Sequence, residues 1–225
     1  MRLLLIKPLL RITLLASFAF VITACNTTPT KQAPPAATTA TATTPAVPAR
    51  IEIQEAVGFT IVEEAFIPEN IRLDYDRAHA LLDQGRDAEG IALLEAVTEA
   101  APDLSAPRID LAIAYHNNGD VEAAETQLDK ALEINPKHPV ALNELGIVYR
   151  KTARFTEARQ SYEAALAVYP GFHFARRNLA VLCDLYLDDV DCAVENYEAY
   201  MATVDNDEEA ALWLKSARFR SGQVE

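Results

Sequence analysis

Cysteine and histidine are the side chains best suited to chemistry in this 225-residue chain, which holds three of the first and four of the second. They are Cys25, Cys183 and Cys192, and His79, His116, His138 and His173. A metal site needs several such ligands at short, fixed spacings. The histidines are scattered, and none pairs with a cysteine at a metal-ligand interval. A nucleophilic site needs a serine or cysteine beside a base, and no such combination is evident. Cys183 and Cys192 are nine apart rather than Cys-x-x-Cys, which argues against a redox-active pair. Glu63-Glu64 and Asp188-Asp189 read as solvated charges rather than paired catalytic carboxylates. The expectation is a non-enzymatic protein with no cofactor, no metal and no small-molecule substrate.

The first cysteine belongs to a different kind of chemistry. Residues 1–11 carry Arg2, Lys7 and Arg11 and no negative charge, and residues 12–22 (ITLLASFAFVI) are almost wholly apolar. A membrane-spanning helix needs about 20 apolar residues, so this run has the layout of a secretory signal. It ends in Ile22-Thr23-Ala24-Cys25. That ending resembles the bacterial lipobox: an aliphatic residue, two small residues, then cysteine. The resemblance implies a signal peptide over 1–24, cleavage before Cys25, and a diacylglyceryl thioether on Cys25, usually with a third acyl chain such as palmitate. Two or more chains hold a protein on a membrane stably. An uncleaved anchor helix is the competing reading. Asn26, where aspartate would signal inner-membrane retention, is compatible with the outer membrane, so the expected location is the cell envelope, on the periplasmic side of the outer membrane.

Residues 25–50 are the expected tether. Thr, Ala and Pro make up 20 of the 25 residues from 26 to 50. Such a composition has little to bury and is expected to stay extended and disordered. At about 3.1 Å per residue it reaches roughly 80 Å. Charge is asymmetric too: the formal net charge is −13, and removing the three cations before Cys25 takes it to about −16. An acidic chain lacks the basic stripe that phosphate neutralisation requires, so nucleic acid is not an expected partner.

From residue 71 a 34-residue period sets in, its clearest mark being Pro102, Pro136 and Pro170. Small residues recur in phase at Ala78, Ala112, Gly146 and Ala180, and again at Gly90, Ala124 and Ala158. Leu81, Tyr115, Tyr149 and Cys183 share another phase. Two stretches carry the pattern best: Leu111–Tyr115 continuing to Gly119-Asp120, Ala124, Ala131-Leu132 and Pro136, and Leu145–Tyr149 continuing to Phe155, Ala158, Tyr162, Ala165-Leu166 and Pro170. This is similar to the tetratricopeptide repeat family. The resemblance implies an all-α solenoid of antiparallel helix pairs in which small residues permit close approach. Gly85 and Gly119 would make the turns and each closing proline would end a pair.

Repeats are expected at 71–104, 105–138, 139–172 and 173–205, stacked because one pair cannot bury its own apolar face. The fourth departs from the pattern. Its turn, DLYLDDVDC, is about one residue longer, and Ala193, Tyr197 and Tyr200 resume the phase late. Residues 206–225 hold a capping helix with Ala210, Trp213, Leu214 and Ala217 on one face, started by Asp207. Residues 51–70 form an N-terminal arm, read as a short strand or an extended segment. Cys183 and Cys192 fall on neighbouring helices of the fourth pair, within bonding range across its turn. An oxidising compartment would favour a disulfide, and two free buried thiols are the alternative.

In this family the first helix of each pair lines a concave groove. The positions expected to face it are Tyr75, His79, Ile109, Ile113, His116, Asn117, Asn143, Ile147, Arg150, Lys151, Phe174, Arg177 and Val181. Ile109, Ile113 and Ile147 would meet apolar side chains of a bound peptide, and Arg150, Lys151 and Arg177 a carboxylate, the alternative being that the N-terminal arm or ordinary packing covers the isoleucines. The set of Lys, Asn and Arg that marks the carboxylate-clamp subtype is largely absent. The resemblance extends to small repeat lipoproteins of Gram-negative bacteria, some of them accessory to TonB-type transport systems. It implies an adaptor that binds an envelope protein or peptide. Pilotin-like assembly factors for a pilus or secretion complex, and regulators of peptidoglycan enzymes, are the alternatives.

Overall fold

The computed structural model describes residues 50–54, 58–62 and 67–222. The signal segment, Cys25 and the tether up to residue 49 lie outside the described residues. Among the described residues no helix is long and apolar enough to cross a membrane.

The arm is in part a hairpin. Strand β1 (Arg50–Gln54) runs antiparallel to β2 (Gly58–Val62), with Arg50 opposite Val62 and Gln54 opposite Gly58. Ile51 and Ile53 alternate with polar residues, which is the period of a strand. The register sets them against Ile61 and Phe59.

Nine helices follow among the described residues: α1 (Glu69–Asp83), α2 (Asp87–Ala100), α3 (Ala106–Asn117), α4 (Val121–Ile134), α5 (Pro139–Lys151), α6 (Phe155–Val168), α7 (His173–Leu185), α8 (Val190–Met201) and α9 (Glu208–Arg220). The first eight form four helix–turn–helix pairs, and α9 packs on α8.

Each pair turns through one residue in the left-handed region. Gly85 (φ 71°) and Gly119 (φ 89°) occupy it in the first two pairs, but Ala153 (φ 59°) and Asp188 (φ 51°) in the others. An amide closes each turn on a carbonyl of the preceding helix: Arg86 on Leu81, Asp120 on Tyr115 and Arg154 on Tyr149, each five residues back. In the fourth pair Asp189 closes on Cys183, six residues back, which is the extra residue visible in the sequence. Between pairs the prolines act through their predecessors. A residue before proline is driven out of the helical region, and Ala101, Asn135 and Tyr169 have φ of −129°, −131° and −135°. The second helix of each of the first three pairs therefore ends there.

The core repeats with the sequence. Ala78, Ala112 and Ala180 on the first helices and Ala124, Ala158 and Ala193 on the second helices are all buried. Where glycine replaces alanine, a larger neighbour has moved in. A Cβ on Gly146 would lie 2.5 Å from the Tyr162 ring, and one on Gly90 2.7 Å from Leu82. Leu94, Leu128 and Leu182 fill the space between pairs and are fully buried.

The fourth pair and α9 lock together. Cys183 and Cys192 are joined by a disulfide with Cα atoms 5.9 Å apart. Asp184, its side chain only 5 % exposed, pairs with Arg220 of α9 and accepts from the Tyr197 hydroxyl. Asp207 caps α9 by accepting from the Ala210 amide at 2.9 Å, and also accepts from the Tyr200 hydroxyl. Trp213 rests on Tyr197, ring centroids 6.1 Å apart.

Candidate partner-binding face

The first helices of successive pairs lie side by side, α3 against α5 and α5 against α7. Side-chain contacts join α1 to α3 through Asp110, which accepts from Tyr75 and pairs with His79 Nε2 at 3.1 Å. Equivalent side chains thus form rows across the repeats. One row holds His79, Ile113, Ile147 and Val181, all half-buried. Ile113 packs on the core between the second and third pairs, and Ile147 and Val181 on the core further along. Each apolar floor residue keeps part of its surface open.

Two of the expected groove residues are not on this surface. Ile109 is 3 % exposed and belongs to the core with Leu128 and Leu145. It lies in the seam between the second and third pairs, so packing takes it before any ligand can. Asn143 is also 3 % exposed; it donates to Glu144 and accepts from Asn178 at 2.9 Å, making a polar tie between α5 and α7. Arg177 is on the surface but engaged. It pairs with Glu209 at 3.3 Å and Asp207 at 3.8 Å and stands 5.1 Å from the Trp213 ring centroid, so the cap helix neutralises it. Phe174, Asn117 and Lys151 are exposed, and Tyr75, His116 and Arg150 half-buried.

The basic end thus loses Arg177 and keeps Arg150 and Lys151, with His116 of α3 beside them, and a residue outside the expected set joins it. Tyr186, in the fourth turn, lies 5.8 Å from the Arg150 guanidinium and 5.0 Å from Phe155. The neighbouring Leu185 is 67 % exposed. Neither was legible as a site residue, because the longer turn breaks the phase used to find the others. Burial pulls the His116 pKa below its ordinary value, and the Lys151 and Arg150 charges add to that. Burial pushes Tyr162 up to about 12, against the Arg150 charge.

Two concavities flank the rows. An apolar one of about 220 Å³ opens between the first two pairs, lined by Ile67, Ile71, Tyr75, Leu104, Pro107 and His138. A more polar cleft of about 290 Å³ is lined by His79, Asp83, Asp87, Asp110, Ile113 and Asn117. The nearest approach to a metal-ligand cluster among the described residues is Cys183, Asp189 and Cys192, whose two sulfurs are bonded to each other.

The tetratricopeptide repeat family model matches residues 103–171. The photosystem I assembly protein Ycf3 of Prochlorococcus marinus is 34 % identical over 76 residues, 28 % of this chain and 44 % of its own length. A peroxisomal targeting signal receptor of Candida glabrata is 30 % identical over 91 residues, 40 % of this chain and 15 % of its own. The chain therefore spans less than half the length of these curated relatives. Among solved structures, MamA of Desulfovibrio magneticus superposes with a TM-score of 0.62 at 21 % identity, covering 70 % of this chain and 88 % of that one. Pseudomonas aeruginosa pilF superposes at 0.62 and 20 %, covering 69 % and 70 %. At these identities the likeness is one of fold. Residues 103–171 are tetratricopeptide repeats, and the helix pairs on either side continue them into a single repeat solenoid.

Proposed function

We propose that this chain is a non-enzymatic adaptor, held in the cell envelope by lipid on Cys25, that binds an extended or helical segment of a partner protein on the face formed by α1, α3, α5 and α7. The observation that carries the reading is the row Ile113, Ile147 and Val181. Three apolar side chains from successive repeats stay partly open on a face where a purely solvated surface would carry polar residues. Tetratricopeptide repeats mediate protein–protein contact, and nothing in the cleft residues supplies an acid, base and nucleophile together.

The test is photo-crosslinking in living cells from Ile113 and Ile147, with an exposed position on α4 such as Lys130 as control. A partner captured from both groove positions and not from α4 supports the reading. Partner binding that survives Ile113→Asp with Arg150→Glu overturns it. The partner's identity then separates a TonB-type transport component from a secretin or a cell-wall hydrolase. A role in assembling an envelope complex is the second reading, favoured by the repeat match to a protein named for the assembly of photosystem I. The anchor has its own test: a Cys25→Ser chain should leave the membrane fraction, and its retention there would assign the anchoring to the apolar segment at 12–22.

A further inference from the structure

Seven arginines among the described residues have a carboxylate within salt-bridge distance: Arg72, Arg86, Arg154, Arg159, Arg177, Arg218 and Arg220. Arg150 is an exception on the binding face. It is half-buried and its Nε is buried without a hydrogen-bond partner. Nε2 of His116, one helix away on α3, is buried and equally unpartnered. Lys151, next in sequence, is exposed and has no ion-pair partner among the described residues. Glu144, earlier on α5, is hydrogen bonded by Asn143 rather than paired with Arg150. In a chain with 33 acidic and 20 basic residues, three basic groups gathered with no acid between them are an exception. The guanidinium lies against the Tyr162 and Tyr186 hydroxyls, but neither carries a charge, so Arg150 Nε and His116 Nε2 keep unused hydrogen-bonding capacity and the basic cluster has no counter-anion beside it.

We propose that His116, Arg150 and Lys151 form a carboxylate subsite for an acidic side chain within an extended segment of the partner, with Tyr186 holding the guanidinium in place. The proposal rests on the groove reading and adds the chemistry of the ligand. Tyr186 sits against both Phe155 and Arg150, so the guanidinium is ordered before a ligand arrives. An internal Asp or Glu fits better than a chain end, because the face continues past α5 in both directions, over α3 and α1 one way and α7 the other. Ile147, Val181 and the exposed Leu185 lie along that path to receive flanking apolar residues. The face therefore selects a segment that alternates large apolar residues with an acidic one.

The experiment is a titration of the full chain, followed by NMR of the His116 and Arg150 side-chain signals. The probes are the acetylated, amidated pentapeptide Ala-Leu-Glu-Leu-Ala, its Gln counterpart, the same Gln peptide with a free C-terminus, and inorganic phosphate. The Glu peptide should bind about 10-fold tighter than the amidated Gln peptide, the size of one charge-assisted contact. Arg150→Gln should erase that difference, while Arg177→Gln should leave it, with the fold of each variant checked by circular dichroism. Equal binding of the Glu and Gln peptides overturns the subsite. So does preference for the free C-terminus, which would make it a terminus reader, or binding of phosphate alone. If the Glu preference fails while crosslinks from Ile113 and Ile147 persist, only the subsite falls. If it holds while those crosslinks are absent, the groove reading falls and the carboxylate site stands.

Discussion

Lowering the pH should weaken this fold through His138, and the size of the effect follows from where that side chain sits. His138 stands at the start of α5 and is 6 % exposed. Its Nδ1 accepts from the Ala141 amide at 3.3 Å, doing for α5 what aspartate does for α4, α8 and α9. Burial lowers its pKa to about 4, with its own backbone hydrogen bond opposing. In the unfolded chain the pKa is near the ordinary value of about 6.5. Between these two values the unfolded state binds more protons than the folded state, so stability rises with pH across that window. The contribution is complete well above pH 6.5 and is lost as pH falls, by about 1 kcal/mol at pH 5.5 and about 2–3 kcal/mol at pH 4.5. The mechanism is concrete, because a protonated imidazole has no lone pair for the Ala141 amide. Urea unfolding of the wild type and His138→Asn at pH 7.5, 5.5 and 4.5 isolates the effect. Asparagine keeps a capping acceptor and does not titrate. Lost packing shifts the variant by a constant, but its stability should fall less steeply toward acid by the amounts above. Identical pH slopes for the two proteins would refute the assignment.

Four further outcomes follow from the packing. Gly146→Ala should lower stability by about 1–3 kcal/mol in thermal melts, because its Cβ would meet the buried Tyr162 ring at 2.5 Å, despite the better helix propensity of alanine. Ala153→Gly should raise stability by about 1 kcal/mol, since Ala153 holds φ 59° where the first two pairs use glycine. Replacing Cys183 and Cys192 together by serine should cost about 2.5–3 kcal/mol in urea unfolding, the chain-entropy value for so short a loop. Arg220→Leu strands the buried Asp184 carboxylate and should cost about 3–5 kcal/mol, with α9 losing amide-exchange protection first.

The repeat architecture can be read from one chain, because a period of 34 residues is imposed by packing that every pair must share. Small residues at Ala78, Ala112 and Ala180 and prolines at Pro102, Pro136 and Pro170 answer to backbone contacts within one pair and at its exit, so they are visible in one chain. The extra residue of the fourth turn and the cap at Asp207 were legible for the same local reason. Tertiary structure decided what side-chain type and phase could not. Ile109 and Ile113 differ by one helical turn and look alike as residues, yet the neighbouring pair covers the first and leaves the second partly open. Arg177 and Arg150 are both arginines on first helices, yet the start of α9 brings Asp207 and Glu209 to one, and among the described residues no carboxylate forms an ion pair with the other. Tyr186 entered the site only because the longer turn carried it to Arg150. Burial and charge pairing depend on which element arrives next to a residue, and a repeat written 34 residues apart does not encode what its last copy will meet.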